Sequence, residues 1–145
     1  MTDVAQGKTA TASGIYGAGY EAAKAVDGNS GTRWASDGPV TSAWIYVDLL
    51  IGYRVTDVVL NWEAAYGKNY TIDVSPDAVN WTTIVTVTEN ASAGVKTYSG
   101  LTGAGRYVRV NVTQMRGEGV NLCSLWDFEV YGVPRHQDLF QSGDL

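Results

Sequence analysis

The sequence of 145 residues is poor in cysteine, histidine and proline, with one, one and three of them, respectively. A single cysteine, Cys123, excludes an intramolecular disulfide. A cysteine nucleophile needs a nearby base, and the only histidine, His136, lies close to the end of the chain. We therefore expect Cys123 to be a buried, inert thiol. The sequence also contains no apolar run of about 20 residues, so no membrane-spanning helix is predicted.

Positive charge is scarce as well. The chain has 10 Lys and Arg against 15 Asp and Glu, which gives a formal net charge of −5. Nucleic acids and anionic membrane surfaces bind clustered basic side chains. Because the basic residues of this chain are few and scattered, we expect neither nucleic acid nor membrane as a partner.

The main pattern in the sequence is an alternation of apolar and polar residues. Residues 44–49, 70–75 and 107–112 alternate as half-buried strands do, and residues 55–62 and 84–88 are further candidates. Only residues 20–26 look helical. The pattern predicts an all-β sandwich with short loops and at most one short helix, formed by residues 1–133, followed by a linker remnant or disordered tail at 134–145. Most large aromatic residues lie in or beside these strands and are assigned to the core: Trp44, Tyr46, Trp62, Trp81, Trp126 and Tyr131.

Residues 24–34 read Lys-Ala-Val-Asp-Gly-Asn-Ser-Gly-Thr-Arg-Trp and form the most informative segment. Calcium binds six to eight oxygen atoms, and a tight loop can offer the side chains of Asp27 and Thr32 together with backbone carbonyls. The alternative is an ordinary Asp-Gly-Asn turn. A second carboxylate, Asp127, lies in the apolar segment 124–132.

Together the two segments resemble the discoidin-like (coagulation-factor C-type) domains, and most closely the family 32 carbohydrate-binding modules, from about Val4 to Gly132. The resemblance implies a jelly-roll β-sandwich and a structural calcium ion between the first loop and the last strand. It also implies the ligands, which are the carbonyls of Lys24, Asn29 and Trp126, the carboxylates of Asp27 and Asp127, and the hydroxyl and carbonyl of Thr32. The family often has Glu at the position of Asp127. The alternative is that Asp127 is not a ligand and simply faces solvent.

The same resemblance places a sugar site where four loops, residues 14–20, 33–41, 63–69 and 114–121, meet at one end of the sandwich. Residues 62–68 and 106–132 look like modules attached to bacterial chitosanases and β-1,3-glucanases. In chitosan-binding relatives the counterparts of Arg33 and Glu63 contribute to binding. From the residues themselves, we choose the glycine-flanked Tyr16 as the stacking face, and the other candidates are Asp37, Tyr66, Arg116 and Glu118.

Structural roles compete with these assignments. Arg33 could brace Asp48 or another acid beneath the loops, and Glu63 could cap a turn. Relatives often carry Tyr where this chain has Cys123, which removes a possible aromatic residue from the site.

The implied function is a non-catalytic module that binds a polysaccharide or its oligosaccharides, with chitosan, glucosamine oligomers or β-glucan favoured. The segment Met1-Thr-Asp-Val is not a signal peptide. We expect a monomeric module of a longer, secreted protein that targets an attached glycoside hydrolase. A glycosidase built on Asp37, Glu63 and Glu118 is disfavoured because the long cleft loops of such enzymes are missing. The alternative is a discoidin domain that binds a protein or phospholipid surface, although loops with Tyr, Glu and Asp favour sugar.

Overall fold

The computed structural model describes residues 2–135, which form eight β-strands and one short 3₁₀ helix at Ala22–Ala25. The strands are β1 (Thr9–Ala12), β2 (Trp34–Ala35), β3 (Ala43–Trp62), β4 (Gly67–Ser75), β5 (Thr82–Val87), β6 (Gly94–Tyr98), β7 (Ala104–Met115) and β8 (Ser124–Pro134). The predicted all-β fold with at most one short helix is confirmed. In the part of the chain described, no helix is long and apolar enough to cross a membrane.

The strands pair antiparallel in the order β2-β8-β3-β7-β4-β5, and β1 and β6 also pair with β3. Strand β3 belongs to both layers of the sandwich. Its first part, Ala43 to Asp48, pairs with β1 and β7, whereas its second part, Tyr53 to Trp62, pairs mainly with β8 and β6. The register shifts between the two parts, where Leu50 has a φ of 75°. This bend brings the two layers face to face.

The core between the layers consists mainly of β-branched and aliphatic residues. In the first layer Ile45 lies opposite Val110, which in turn lies opposite Ile72, and all three are fully buried. Leu60 and Phe128 form a similar buried pair in the second layer. Each such side chain contributes about 1.5 to 3 kcal/mol when removed from water. The core thus holds the strand ends, and with them the loops, in fixed positions.

The assignment of six aromatic residues to the core is wrong for five of them. Only Trp62 is fully buried, while Trp44, Tyr46, Trp81, Trp126 and Tyr131 are half-buried. Trp44 and Tyr46 alternate with the buried residues of β3 and therefore point to the outer face of the first layer. We call the group on that face the sheet-face cluster, which consists of Trp44, Tyr46, Trp81, Tyr107, Arg109 and Asp73.

The folded part continues through the start of the segment predicted as a tail. Pro134 ends β8, and the backbone N–H of Arg135 donates to the carbonyl of Gly52 at 2.9 Å. The rest of that segment, residues 136–145, lies outside the described residues.

Candidate functional site

The four predicted loops do meet at one end of the sandwich. The N–H of Tyr16 donates to the carbonyl of Ala35 at 2.8 Å, which joins the first loop to the second. The N–H of Val40 donates to the carbonyl of Asn121 at 2.8 Å, which joins the second loop to the fourth, and the third loop pairs with the fourth in the β4–β7 ladder, where Gly67 lies opposite Met115. Backbone hydrogen bonds therefore connect all four loops into one surface.

Arg33 lies at the centre of this surface because it directly precedes β2, the edge strand paired with β8. Its Nη1 donates to Ser124 Oγ at 2.8 Å and lies 3.5 Å from Glu63 Oε1. The guanidinium carbon is 4.9 Å from the ring centre of Tyr20 and 5.6 Å from that of Trp126. The alternative in which Arg33 braces Asp48 is wrong, because Asp48 pairs instead with another arginine, Arg106. The acid beside Arg33 is Glu63, so the alternative of bracing another acid stays open.

Glu63 follows β3 and is oriented by its own turn. Its Oε1 accepts the N–H of Ala65 at 2.9 Å, so the predicted turn-capping role is also present. The backbone N–H of Glu63 donates to the carbonyl of Ser124 at 3.0 Å. Within residues 2–135 no hydrogen bond or ion pair uses the second oxygen, Oε2. With 24% of the side chain exposed, Glu63 can therefore still accept a ligand donor.

Tyr16 supplies an exposed aromatic ring beside this pair. Its side chain is 63% exposed, and its ring contacts Tyr20 edge to face at 5.4 Å. Tyr16, Tyr20, Arg33, Glu63 and Trp126 thus form a continuous group, which we call the Arg33 cluster. Aromatic rings next to a planar donor and a carboxylate suit a sugar, because a pyranose offers both C–H groups and hydroxyls.

The sequence did not identify Tyr20 or the side chain of Trp126 as site residues. Alternation along β8 could have indicated Trp126. The neighbouring Leu125 is buried, and adjacent strand residues point to opposite faces, so the side chain of Trp126 points away from the core. For Tyr20 the only signal was its position after the glycine-rich stretch that also contains Tyr16.

The remaining sugar-site candidates lie further out. The carboxylate of Asp37 packs against the backbone of Gly14. Arg116 lies over the ring of Tyr66 at 6.0 Å, and its buried Nε has no hydrogen-bond partner within residues 2–135. Glu118 is exposed in a turn with a φ of 58°. Among the described residues, no hydrogen bond or ion pair joins Asp37, Arg116 or Glu118 to the Arg33 cluster.

The predicted cation loop gathers oxygen atoms around one hydroxyl. Thr32 Oγ1 lies 2.5 Å from Asp27 Oδ2, 3.0 Å from the carbonyl oxygen of Asn29 and 3.4 Å from that of Lys24. A hydroxyl has one proton and can satisfy only one of these three acceptors. Asp27 also accepts the N–H of Asn29 at 2.9 Å, so the turn expected as the alternative is present as well. These oxygens form a donor set that suits a hard cation.

Asp127 lies beside this loop, at a shared pocket that both Gly28 and Ser30 line. Partial burial raises the pKa of Asp127, and the nearby carboxylates of Glu129, Asp27 and Asp3 raise it further. A cation at this position would offset that repulsion. Within residues 2–135 no three His, Cys, Asp or Glu side chains are arranged to hold a metal, so a cation here would depend on backbone carbonyls. Ligation by all six predicted residues, including the carbonyl of Trp126, stays a prediction.

Cys123 forms part of the floor beneath the loops. It is fully buried, its N–H donates to Ser36 Oγ at 3.0 Å, and its carbonyl accepts the N–H of Ser36 at 2.8 Å. Burial raises the pKa of the Cys123 thiol to about 12. The expected buried thiol is confirmed.

Comparison with known proteins agrees with this fold. Residues 9–128 match the model of the F5/8 type C domain. The chain is 47% identical to chitosan-binding module 1 from the chitosanase/glucanase of Paenibacillus sp. IK-5, with 91% of this chain and 100% of that chain covered and a TM-score of 0.84. It is 38% identical to chitosan-binding module 2 of the same enzyme, solved with chitotriose, with coverages of 89% and 99% and a TM-score of 0.83.

A more distant structure shares the fold. The family 32 carbohydrate-binding module of NanJ from Clostridium perfringens, solved with galactose, is 19% identical, with coverages of 84% and 91% and a TM-score of 0.73. No curated protein matches the chain.

Proposed function

Because this chain belongs to the F5/8 type C domain family, we propose that its Arg33 cluster binds chitosan or its glucosamine oligomers and that the chain is a non-catalytic carbohydrate-binding module. The observation that carries the proposal is the partly exposed Glu63 carboxylate, held beside Arg33 with its Oε2 unused by the described residues. An ammonium group of glucosamine can pair with that oxygen. The similarity to two chitosan-binding modules supports this sugar class.

Each group of the site has a separate role in the proposed complex. Glu63 pairs with the amino group, Arg33 donates to a ring or hydroxyl oxygen, and Tyr16 packs on the C–H face of the sugar. The net charge of −5 adds a weak attraction for a cationic polymer. One such site binds weakly, since a sugar exchanges good hydrogen bonds to water for similar bonds to protein.

The biological role proposed is to hold an attached glycoside hydrolase near its substrate in a secreted protein. A calcium ion, held by the oxygens around Thr32 together with Asp127, would stabilise the loop that leads into Arg33. Calcium would act here as a structural ion, fixing the first loop to the last strand.

The sugar proposal is tested by calorimetry with the glucosamine trisaccharide. We expect Glu63→Ala and Tyr16→Ala each to abolish measurable binding while the melting temperature stays within about 3 °C of the parent protein, as for surface substitutions. Glu89→Ala is the matched control, because Glu89 is 73% exposed and contacts Lys68 away from the cluster. Parent-like affinity in both site variants would refute the assignment.

The role of the ammonium group is tested separately. The fully N-acetylated trisaccharide has no amine, so it should bind the parent protein more weakly, and Glu63→Gln should reduce that difference. A β-1,3-glucan oligosaccharide is the comparison for a neutral sugar. If the glucan binds more tightly than both amino-sugar oligomers, the site prefers β-glucan and the amine plays no part in recognition.

A further inference from the structure

A second pocket lies next to Arg33. It has a volume of about 380 Å³ and is lined by residues 18–20, residues 31–33 and Trp126. This volume is at the small end of the range for ligand pockets, about 300 to 1,000 Å³. Glu63 and Ser124, which contact Arg33 elsewhere on the guanidinium, do not line it. Arg33 therefore borders two different environments.

The pocket presents aromatic and planar groups to a ligand. Tyr20 and Trp126 are both half-buried, and both hold the guanidinium of Arg33 within 6 Å of their ring centres. Gly19 has a φ of 92°, and within residues 2–135 no atom beyond its chain neighbours lies within 4 Å of where its Cβ would be, so a ligand can approach the backbone there. Aromatic rings beside a fixed donor are groups that recognise a pyranose.

The charge of the pocket differs from that of the first site. Among the residues that the structure describes, no carboxylate lines it, and its one charged group is Arg33. A second ammonium group in this pocket would be repelled by the guanidinium and would find no acceptor of opposite charge. An N-acetyl group is neutral, and its carbonyl can accept from Arg33.

We infer that the pocket of Tyr20, Trp126 and Arg33 is a second sugar subsite that takes a neutral or N-acetylated unit next to the glucosamine held at Glu63. The inference rests on the proposed function. It predicts that the ligand of this protein is a partially N-acetylated chitosan rather than the fully deacetylated polymer. It also explains why a charged pair and two further aromatic rings lie on one continuous surface.

The test compares the glucosamine trisaccharide with its singly N-acetylated forms by calorimetry. We expect one singly acetylated form to bind the parent protein about three- to tenfold more tightly than the deacetylated trisaccharide, the range of a typical aromatic contact. Tyr20→Ala and Trp126→Phe should remove this gain, so that each variant binds the acetylated and the deacetylated trisaccharide equally tightly. Trp81→Phe, in the sheet-face cluster, should keep the gain.

Perturbation of the Trp126 indole N–H resonance on titration gives a readout that does not depend on affinity. If the parent protein binds the deacetylated trisaccharide but shows no gain for any acetylated form, the second subsite is refuted and the proposed function stands. If no oligosaccharide binds at all, both are refuted. A gain that survives in Tyr20→Ala and Trp126→Phe, with both variants folded by circular dichroism, also refutes the subsite.

Discussion

Two regions of this molecule contain the same residue types but differ in how far their polar groups are buried and paired. The sheet-face cluster and the Arg33 cluster each combine aromatic rings with one arginine–carboxylate pair. In the first, Asp73 is 1% exposed and accepts from Arg109 at 2.9 Å, while in the second Glu63 is 24% exposed and lies 3.5 Å from Arg33. The two pairs have the same composition and differ in their exposure and in how far their hydrogen bonds are satisfied, and these differences are the reason for proposing only the second as a sugar-binding pair.

The polar groups of the sheet-face pair are occupied within the protein. Asp73 Oδ2 accepts from Arg109 Nε and from Thr71 Oγ1, and Oδ1 accepts from Thr83 Oγ1 at 2.8 Å. The guanidinium of Arg109 also stacks over Trp81 at 4.3 Å. Both carboxylate oxygens therefore have partners, and this region contributes to stability. Glu63, by contrast, has an oxygen that the described residues leave without a partner.

The largest effect should follow from removing the buried carboxylate. Asp73→Ala leaves the guanidinium of Arg109 without its partner, and we expect it to lower the free energy of unfolding by about 3 kcal/mol. For a domain of this size the loss corresponds to about 6 to 12 °C in melting temperature, measured by calorimetry. Affinity for the glucosamine trisaccharide, measured below the transition, should be unchanged.

Two matched variants sharpen the contrast. Asp48→Ala removes a carboxylate on the same layer whose partner, Arg106, is 43% exposed, so we expect a loss of about 0.5 to 1 kcal/mol. Glu63→Ala should cost no more than that, yet abolish binding. The comparison fails if Asp73→Ala is as mild as Asp48→Ala, or if it weakens sugar binding as strongly as Glu63→Ala.

Sequence reasoning succeeded where residues are close in the chain or follow a known motif. The alternation of β3 predicted a strand, but alternation alone does not say which face is inward. The sequence analysis assigned the bulky Trp44 and Tyr46 to the core, whereas Ile45 and Val47 fill the space between the layers. Smaller β-branched residues lie there because they pack opposite Val108 and the similar residues of β7.

The site was predictable in part for the same reason. Arg33 and Glu63 were found through the motifs around Trp34 and Trp62. The contacts of Tyr20 and Trp126 with Arg33 depend instead on how the first loop closes over β8, which no local pattern encodes. A side-chain oxygen that the described residues leave without a partner, such as Oε2 of Glu63, can be recognised only from the folded structure.

Calcium binding should have the next largest effect on the free energy of unfolding, and it should act through the loop that contains Asp27 and Thr32. At a free calcium concentration of about 100 times the dissociation constant, binding stabilises the fold by about 2.7 kcal/mol, or about 5 to 10 °C in melting temperature. Asp127→Asn should remove this increment. Chelation should also weaken binding of the trisaccharide, because Arg33 directly follows Thr32, a proposed ligand of the ion.

In the absence of calcium, we expect Asp127→Asn to change the stability of the fold in the opposite direction. In chelator, Asp127→Asn should be at least as stable as the parent protein, because the carboxylate it removes faces Asp27, Asp3 and Glu129. Asp48→Asn is the control and should keep the full calcium increment. If the melting temperature of the parent protein does not respond to calcium, the proposed ion is refuted. If Asp127→Asn keeps the calcium response, Asp127 is not one of its ligands.

The smallest expected effect concerns the floor beneath the open rim of the Arg33 cluster. The pKa of Cys123 is raised to about 12, so at pH 8 its thiolate fraction is about three orders of magnitude below that of a free thiol. In the folded protein an aromatic disulfide reagent should therefore label no measurable fraction, whereas in concentrated guanidinium chloride it should label one thiol per chain. Sugar binding should leave the folded result unchanged, because the Ser36–Cys123 hydrogen bonds hold this floor before any ligand arrives. Rapid labelling of the folded chain that slows when the trisaccharide is added would show instead that the floor itself opens, and that the ligand, rather than the sandwich, orders the site.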